Sequence, residues 1–144
     1  MASLSEAARR YIGVRFRHRG RSRHGVDCVG LGVLAYADCG VTVEDFLLYG
    51  REPFRDGLVA RLTRALGDPV SVAPVRLSSL RDGDVIVIRY DINPHHVAIV
   101  GERDYGGRAA LTMIHADGTQ GRVLEQRLTP DVVERITHVF RRPV

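Results

Sequence analysis

Hydrophobic residues in the first half of the chain recur three and four positions apart, which is the spacing of one helix face. We therefore predict three helices, over about residues 4–11, 28–40 and 58–66. Ser3 or Ser5 is the expected N-cap of the first helix, and Asp27 is the expected N-cap of the second. In residues 14–24 arginine alternates with Phe, His, Gly and Ser, which favours an extended loop.

The pattern changes beyond Pro69 to alternating or continuous runs of β-branched residues, which are typical of strands. Five such runs occur, namely VIVIRY, HVAIVG, ALTMIHA, RVLEQRL and ITHVFR. Together they predict a small antiparallel sheet. Helices followed by strands indicate the α+β class, in which the N-terminal helices pack their apolar side against one face of the sheet.

The length of 144 residues suits one hydrophobic core, so we predict a single domain over residues 1–144. No apolar run approaches the roughly 20 residues that span a bilayer, so membrane insertion is not expected. The first residues, MASLSEAARRYIG, lack the apolar centre of a secretion signal. We therefore expect the protein to be cytoplasmic when it is synthesised.

The net charge of +4 comes from a chain whose 21 basic residues are all arginine. Seven of them precede Cys28, so basic surface is expected near that residue. Such a surface could attract nucleic acid, acidic lipid or an acidic peptide, and charge alone does not choose among them. The absence of lysine is explained more simply by the codon bias of a GC-rich genome.

The two cysteines, Cys28 and Cys39, are eleven residues apart in the predicted second helix. At 1.5 Å per residue, a continuous helix separates them by roughly 16 Å along its axis. A disulfide needs Cα atoms within about 7 Å of each other. Both thiols are therefore expected to be reduced, and Cys39 is expected to be a small packing residue.

Cys28 lies at the predicted start of the second helix. Unpaired N–H groups and the positive end of the helix dipole stabilise a thiolate there, so we expect a pKa lowered toward neutrality. Asp27 opposes this shift if its charge is close, but as an N-cap it points at backbone amides. A nucleophilic cysteine also needs a base, and the base needs an orienting partner.

Histidines on two predicted strands are candidates for those two roles. His95 and His96 are adjacent, so only one of them can face the helix. A hairpin centred between Tyr105 and Gly106 places His96 directly opposite His115. One centred between Gly106 and Gly107 makes the two diagonal neighbours on the same face, and either arrangement is within ring-to-ring hydrogen-bonding reach. The spacing therefore selects His96 as the base and His115 as the residue that orients it, with Cys28 as the nucleophile.

Two other interpretations use the same residues. A cysteine at a helix start and histidines in strands also occur by chance as packing residues. The three side chains could instead bind zinc, with His24 or Asp117 as a fourth ligand, but the sequence has no close ligand pair such as Cys-x-x-Cys. We therefore predict no metal.

Four segments resemble motifs of the NlpC-type (NlpC/p60) cysteine peptidases in the order in which that family has them, namely GVDCVGL, RDGDVIVI, HHVAIV and MIHAD. The resemblance implies a papain-like α+β fold and hydrolysis of peptide bonds in bacterial wall peptides, often between D-γ-glutamate and a diamino acid, without a cofactor. By motif, Cys28 corresponds to the nucleophile, His96 to the general base and His115 to the orienting residue.

The chain departs from the family pattern at two positions. VRFRHRG is similar to the segment that usually reads Tyr-x-Trp-Gly-Gly, so Phe16 stands where a tyrosine hydroxyl normally reaches the site. Val29 replaces the usual serine after the nucleophile. Besides the three catalytic candidates, Phe16, Arg17 and Asp27 are predicted to contact the substrate, since arginines just before the nucleophile can meet substrate carboxylates.

The variant GRSRHGVDCVGL is similar to peptidases encoded with the tail genes of phages and gene transfer agents. This resemblance implies peptidoglycan as substrate, tail hub or tail-tip proteins as partners rather than nucleic acid, and a location on the particle tail. The leading hypothesis is an endopeptidase that acts through an acyl-enzyme on Cys28. The alternatives are a structural tail hub with a slow or silent site, and acyl transfer or amidase chemistry by the same residues.

Overall fold

A computed structural model describes residues 2–45, 57–90 and 94–144, and for residues 94 and 95 the backbone alone. The helices are α1 (Leu4–Arg9), α2 (Cys28–Asp38), α3 (Leu58–Leu66) and α4 (Pro130–Glu134). The strands are β1 (Arg21–Ser22), β2 (Gly25–Val26), β3 (Ser71–Val72), β4 (Val85–Arg89), β5 (Pro94–Tyr105), β6 (Arg108–Asp117), β7 (Arg122–Arg127) and β8 (Ile136–Phe140). Within these ranges, every helix is too short or too polar to cross a membrane.

Six strands form one antiparallel sheet in the order β3-β8-β4-β5-β6-β7. The five predicted strand runs correspond to β4 through β8, so the predicted antiparallel sheet is confirmed. Strands β1 and β2 form a separate two-stranded hairpin inside the segment that we expected to be an extended loop. The hairpin forms because Arg21 pairs with Val26 and Ser22 pairs with Gly25.

The sheet is buried on both faces, and alternation along β4 and β5 divides the core in two. Val85, Val87, Val97 and Ile99 pack with the buried side chains of α1, α2 and α3. The residues between them belong to a second cluster, which also includes residues from β6, β8 and α4; it contains Ile86, Ile88, Ala98, Val100, Met113, Val133, Ile136 and Val139. Both faces of the central strands are therefore covered by apolar side chains, which removes them from water.

The first helix ends earlier than its hydrophobic spacing predicts. Ser3 is the N-cap, and its Oγ accepts a hydrogen bond from the N–H of Glu6 at 3.2 Å. The helix stops at Arg9 rather than near Tyr11 because the chain tightens there into turns, in which the N–H groups of Tyr11 and Ile12 bond three residues back. The N–H of Gly13 donates to the carbonyl oxygen of Val123 at 2.9 Å.

The arginine-rich segment lies on the first turn of α2, and Gly30 permits this contact. A Cβ atom built on Gly30 would overlap the carbonyl oxygen of Gly20. A Cβ built on Gly32, two positions further along the helix, would meet no atom within 4 Å. Gly30 is therefore required by the close approach of the segment that leads into Cys28.

Candidate active site

Asp27 caps α2 as predicted, and its carboxylate is held on both oxygens. Oδ1 accepts from the N–H of Gly30 at 2.8 Å and from Nη1 of Arg21 at 3.0 Å, and Oδ2 accepts from the N–H of Arg19 at 2.8 Å. The residue is only 4% exposed. The cap therefore fixes the start of α2 and ties it to the arginine-rich segment. Arg21, which the sequence did not single out, is the cation that neutralises it.

The thiol of Cys28 begins α2 and is partly buried. Burial is the largest cause that raises its pKa to about 12, and the charge of Asp27 raises it further. Backbone hydrogen bonds from Val97 and Val29 oppose the rise but are outweighed. The expected lowering of this pKa is therefore wrong, since loss of hydration exceeds the effect of the helix N-terminus. At neutral pH Cys28 is a thiol and not a thiolate.

Cys39 is the C-cap of α2, at the opposite end of the helix from Cys28. Both cysteines are free, as predicted, because α2 is continuous between them. The Cys39 thiol donates to the carbonyl oxygens of Ala2 and Ser3 at 3.6 Å and is 6% exposed. Cys39 is therefore a small buried packing residue, as predicted.

The hairpin of β5 and β6 has the second of the two predicted registers. Its turn is formed by Gly106 and Gly107, whose φ angles of +64° and +88° suit a two-residue hairpin turn. The ladder runs from the pair Tyr105 and Arg108 to the pair Ile99 and Ile114. His96 and His115 follow at the open end of this ladder, as diagonal neighbours on one face.

The two histidines are directly hydrogen-bonded. Nε2 of His96 lies 2.8 Å from Nδ1 of His115, and the ring centroids are 4.9 Å apart in an edge-to-face arrangement. His96 is 9% exposed and His115 is 2% exposed. The structure therefore brings together the pair that the spacing selected, while the side chain of His95 lies outside the described residues.

Strand alternation sets the face on which His96 lies. His96 stands opposite Ile88 in β4 and shares a face of the sheet with Ala98. The approach of His96 to the start of α2 stays a prediction. Val97 is the residue that packs toward the helices, and its N–H is the one that hydrogen-bonds to Cys28. The sulfur of Cys28 thus contacts β5 at the residue directly after His96.

Tyr90, just beyond the end of β4, adjoins the same group of side chains. Its ring centroid lies 5.5 Å from that of His96, and the residue is 47% exposed. Burial raises the pKa of Tyr90, and negative charge on Asp117 raises it further. The hydroxyl of Tyr90 therefore keeps its proton at neutral pH. The sequence analysis did not identify Tyr90 as a site residue, because in the sequence it is simply the last residue of the VIVIRY strand run.

Gln126 in β7 contacts the second histidine on its outer side. Oε1 of Gln126 lies 2.8 Å from Nε2 of His115. Burial lowers the pKa of His115, and the bond to Gln126 opposes that effect only in part. His115 is consequently neutral at neutral pH. In the sequence Gln126 is one polar position of the RVLEQRL run, and only the strand register reveals its partner.

Phe16 and Arg17 lie in the segment that leads to α2. The N–H of Phe16 donates to the carbonyl oxygen of Gly121 at 2.8 Å, and its ring lies beside Gly118. Arg17 is exposed, and its aliphatic stem covers Gly25. These contacts are structural, and the predicted substrate contacts of Phe16, Arg17 and Asp27 stay predictions.

A solvent-open cleft of about 470 Å³ borders the histidine pair on the face of the second core cluster. Tyr90, His115, Asp117, Gln126 and Arg135 are among the residues that line it. In the described parts of the chain, His, Cys, Asp and Glu side chains form no group of three or more that could hold a metal ion.

Comparison with known proteins places this site in a family. The model of the NlpC/P60 family matches residues 13–142, which include every catalytic candidate. The chain belongs to the NlpC/P60 family. This membership confirms the family predicted from the four motifs, and the family is one of cysteine peptidases, the predicted enzyme class. Among curated protein sequences none matches the chain significantly.

Solved structures confirm the papain-like α+β fold of this NlpC/P60 domain. An NlpC/P60 family protein from Bacillus cereus superimposes with a TM-score of 0.63 at 22% identity, over 99% of this chain and 40% of the other. RipB, a peptidoglycan hydrolase from Mycobacterium tuberculosis, gives 0.61 at 20% identity, over 98% and 63%. The NlpC/p60 domain of the peptidoglycan hydrolase SagA gives 0.57 at 18% identity, over 96% of each chain. The chain thus spans about two fifths of the Bacillus cereus protein.

Proposed function

We propose that this NlpC/P60 domain is a cysteine endopeptidase that cleaves the stem peptides of bacterial peptidoglycan. The observation that carries the proposal is the 2.8 Å hydrogen bond between His96 and His115. His96 directly precedes Val97, whose backbone N–H bonds to Cys28. A nucleophile at a helix start, an imidazole base and a group that orients the base are what acyl-enzyme chemistry needs. SagA and RipB, which share the fold, are peptidoglycan hydrolases.

The mechanism begins with a protonated nucleophile. Because burial holds the pKa of Cys28 at about 12, the proton leaves the sulfur only as attack begins. His96 accepts that proton while the sulfur forms a bond to the carbonyl carbon of the scissile peptide. The resulting oxyanion can be stabilised by the backbone N–H of Cys28, which no intrahelical bond uses at the first position of a helix.

The remaining steps restore the enzyme. The C–N bond breaks as the proton held by His96 passes to the leaving amine, which leaves a thioester on Cys28. Water then donates a proton to His96 and attacks the thioester carbonyl. The acid product departs as the sulfur regains a proton from His96, so no cofactor enters the cycle.

The test compares the two cysteines. Cys28→Ser should fold like the wild type but release less than about one hundredth of the peptide from purified sacculi, because a serine hydroxyl is a much weaker nucleophile than the thiol and His96 alone cannot form the acyl-enzyme. Cys39→Ser is the matched control and should retain activity, since it replaces the thiol at the far end of the same helix. Equal release by Cys28→Ser and the wild type would contradict the proposal.

Mass spectrometry of the released products tests the bond that is cleaved. An endopeptidase gives fragments that end within the stem peptide. Fragments that carry the complete stem peptide, cut at its junction with the sugar, would replace the endopeptidase with an amidase that uses the same residues.

We further propose that the domain acts on the tail tip of a phage-like particle, bound to tail hub proteins. The support is the similarity of the segment GRSRHGVDCVGL to peptidases encoded with tail genes. Purified particles should contain the chain, and particles with Cys28→Ser should assemble but enter cells poorly. If those particles instead entered cells normally, the domain would be a structural hub component with a silent site. Phe16, which lacks the hydroxyl expected at its position, favours that second candidate.

A further inference from the structure

We propose that Gln126 is a positioning residue that sets the tautomers of both histidines and leaves Nδ1 of His96 as the proton acceptor. The inference rests on the proposed function for its consequence in catalysis. Its basis is a row of three side chains on neighbouring strands, joined by two hydrogen bonds of 2.8 Å.

At the start of the row, Oε1 of Gln126 is a hydrogen-bond acceptor. Oε1 of Gln126 is a carbonyl oxygen and can only accept, so Nε2 of His115 must carry the proton of their hydrogen bond. A neutral imidazole has one N–H. His115 is buried and neutral, so its Nδ1 has no proton and accepts a hydrogen bond.

The same reasoning carries the assignment to the second ring. Because Nδ1 of His115 accepts, Nε2 of His96 must donate across the 2.8 Å contact. Nδ1 of a neutral His96 is then the nitrogen without a proton. This is the state that a general base requires before it takes the proton of Cys28.

The opposite orientation of the glutamine amide shows why the residue matters. If its NH₂ group faced His115, Nε2 of His115 would accept, Nδ1 of His115 would donate, and Nε2 of His96 would accept. Nδ1 of His96 would then carry a proton and could not act as the base. The identity of one amide atom, separated from the thiol by two histidines, therefore decides whether the site is competent.

Gln126 suits a test because it is an exposed residue at the surface of β7. Its replacement therefore leaves the two core clusters intact. Gln126→Leu removes the acceptor, whereas Gln126→Glu keeps an oxygen acceptor in the same place. Arg127→Leu is the matched control, since it replaces the next exposed residue of the same strand, whose side chain lies on the other face of the sheet.

The direct measurement is ¹⁵N NMR of the histidine rings in the free protein at about pH 8, above the usual imidazole pKa of about 6.5. We expect His115 and His96 of the wild type to be protonated on Nε2 alone. Gln126→Leu should give a mixture of tautomers in both rings, and Arg127→Leu should give the wild-type spectrum. Protonation of Nδ1 of His96 in the wild type would overturn the inference.

The kinetic measurement is peptide release at the same pH. Gln126→Leu should lower kcat roughly 10- to 100-fold with KM unchanged, as expected for a group that orients an imidazole through its other nitrogen. Gln126→Glu should restore most of this loss at about pH 8. Its added charge favours protonation of His115, so the acid limb of its pH profile should move to higher pH.

The two proposals fail in different ways. An unchanged kcat in Gln126→Leu, or a loss that Gln126→Glu does not restore, would overturn the positioning role while Cys28→Ser remained inactive. An active Cys28→Ser would overturn the proposed function, and the tautomers measured in the free protein would still test the hydrogen-bonded row by themselves.

Discussion

Two adjacent residues of β7, Glu125 and Gln126, head polar networks of opposite kinds on the two faces of the sheet. Glu125 accepts from Nη2 of Arg9 at 3.0 Å, from Nη2 of Arg103 at 2.7 Å and from Oγ1 of Thr112 at 2.6 Å. Gln126 contacts the histidine pair on the other face. The first network consists of fixed charges and joins α1 to the sheet, and the second consists of neutral groups that can exchange protons.

The physical difference lies in how burial acts on each network. Burial raises the pKa of Glu125, but the hydrogen bonds from Arg9, Arg103 and Thr112 outweigh it and hold the pKa at about 2. In the histidine network burial lowers the pKa of His115, and the neutral Gln126 restores the charged form only in part. Charges with close partners give a rigid anchor, whereas neutral rings keep a proton available for transfer. The domain places one of each on the two faces of the same strand.

The largest expected effect is that of His96→Ala, which removes one ring of the histidine network. We expect release of peptide from sacculi to fall about 10²- to 10⁴-fold, the range for loss of a general base. The free energy of unfolding should fall by only about 1–2 kcal/mol, the cost of one buried hydrogen bond left without its partner. Parallel peptide assays and urea unfolding measure both. A variant that unfolds without losing activity in its folded fraction would contradict the assignment.

Glu125→Gln breaks the other network and should give the converse result. Two arginines lose their anionic partner, which should lower the free energy of unfolding by about 2–3 kcal/mol. The kcat of the folded protein should stay within about twofold of the wild type, because the Glu125 network lies on the opposite face from the histidine pair. Urea unfolding followed by circular dichroism checks the first value. An unchanged midpoint would show that the anchor contributes nothing.

The smallest expected effect is on the pH dependence of stability, in which Glu125 and His115 contribute over different pH ranges. The pKa of Glu125 is lowered from 4.5 to about 2 in the folded protein, so its contribution to stability is complete above pH 4.5 and is lost as the pH falls toward 2. The pKa of His115 is lowered from 6.5, so its contribution is complete above pH 6.5 and is lost as the pH falls through its folded value.

Unfolding free energies measured from neutral to acidic pH test these two windows. Glu125→Gln should remove the lower one and leave the upper, and His115→Gln should do the reverse. The change in the lower window should be on the order of 1 kcal/mol or more, because a tenfold change in proton affinity corresponds to about 1.4 kcal/mol. A single variant that abolished the pH dependence of the unfolding free energy in both windows would show that the two networks are coupled through β7 rather than independent.

Local patterns were sufficient to predict much of the fold. The α2 helix with its Asp27 cap, the sheet runs of β4 to β8 and the glycine hairpin turn all follow from spacing and turn chemistry within a few residues. The first helix was predicted too long because its last residues form tighter turns, which lead to the bond of Gly13 to Val123 more than one hundred positions away in the chain. The short β1–β2 hairpin was missed because its strands are two residues each.

The sequence by itself determined the candidates of the site, since both registers expected for a two-residue turn at Tyr105, Gly106 and Gly107 place His96 and His115 on one face. Only the tertiary structure decided their state. The raised pKa of Cys28 results from burial by residues that are distant in the chain, and helix position alone predicted the opposite sign. Tyr90 and Gln126 reach the histidines through pairings of β4 with β5 and of β6 with β7. The protonation state of a group depends on its neighbours in space, and these neighbours come from parts of the chain that are distant in sequence.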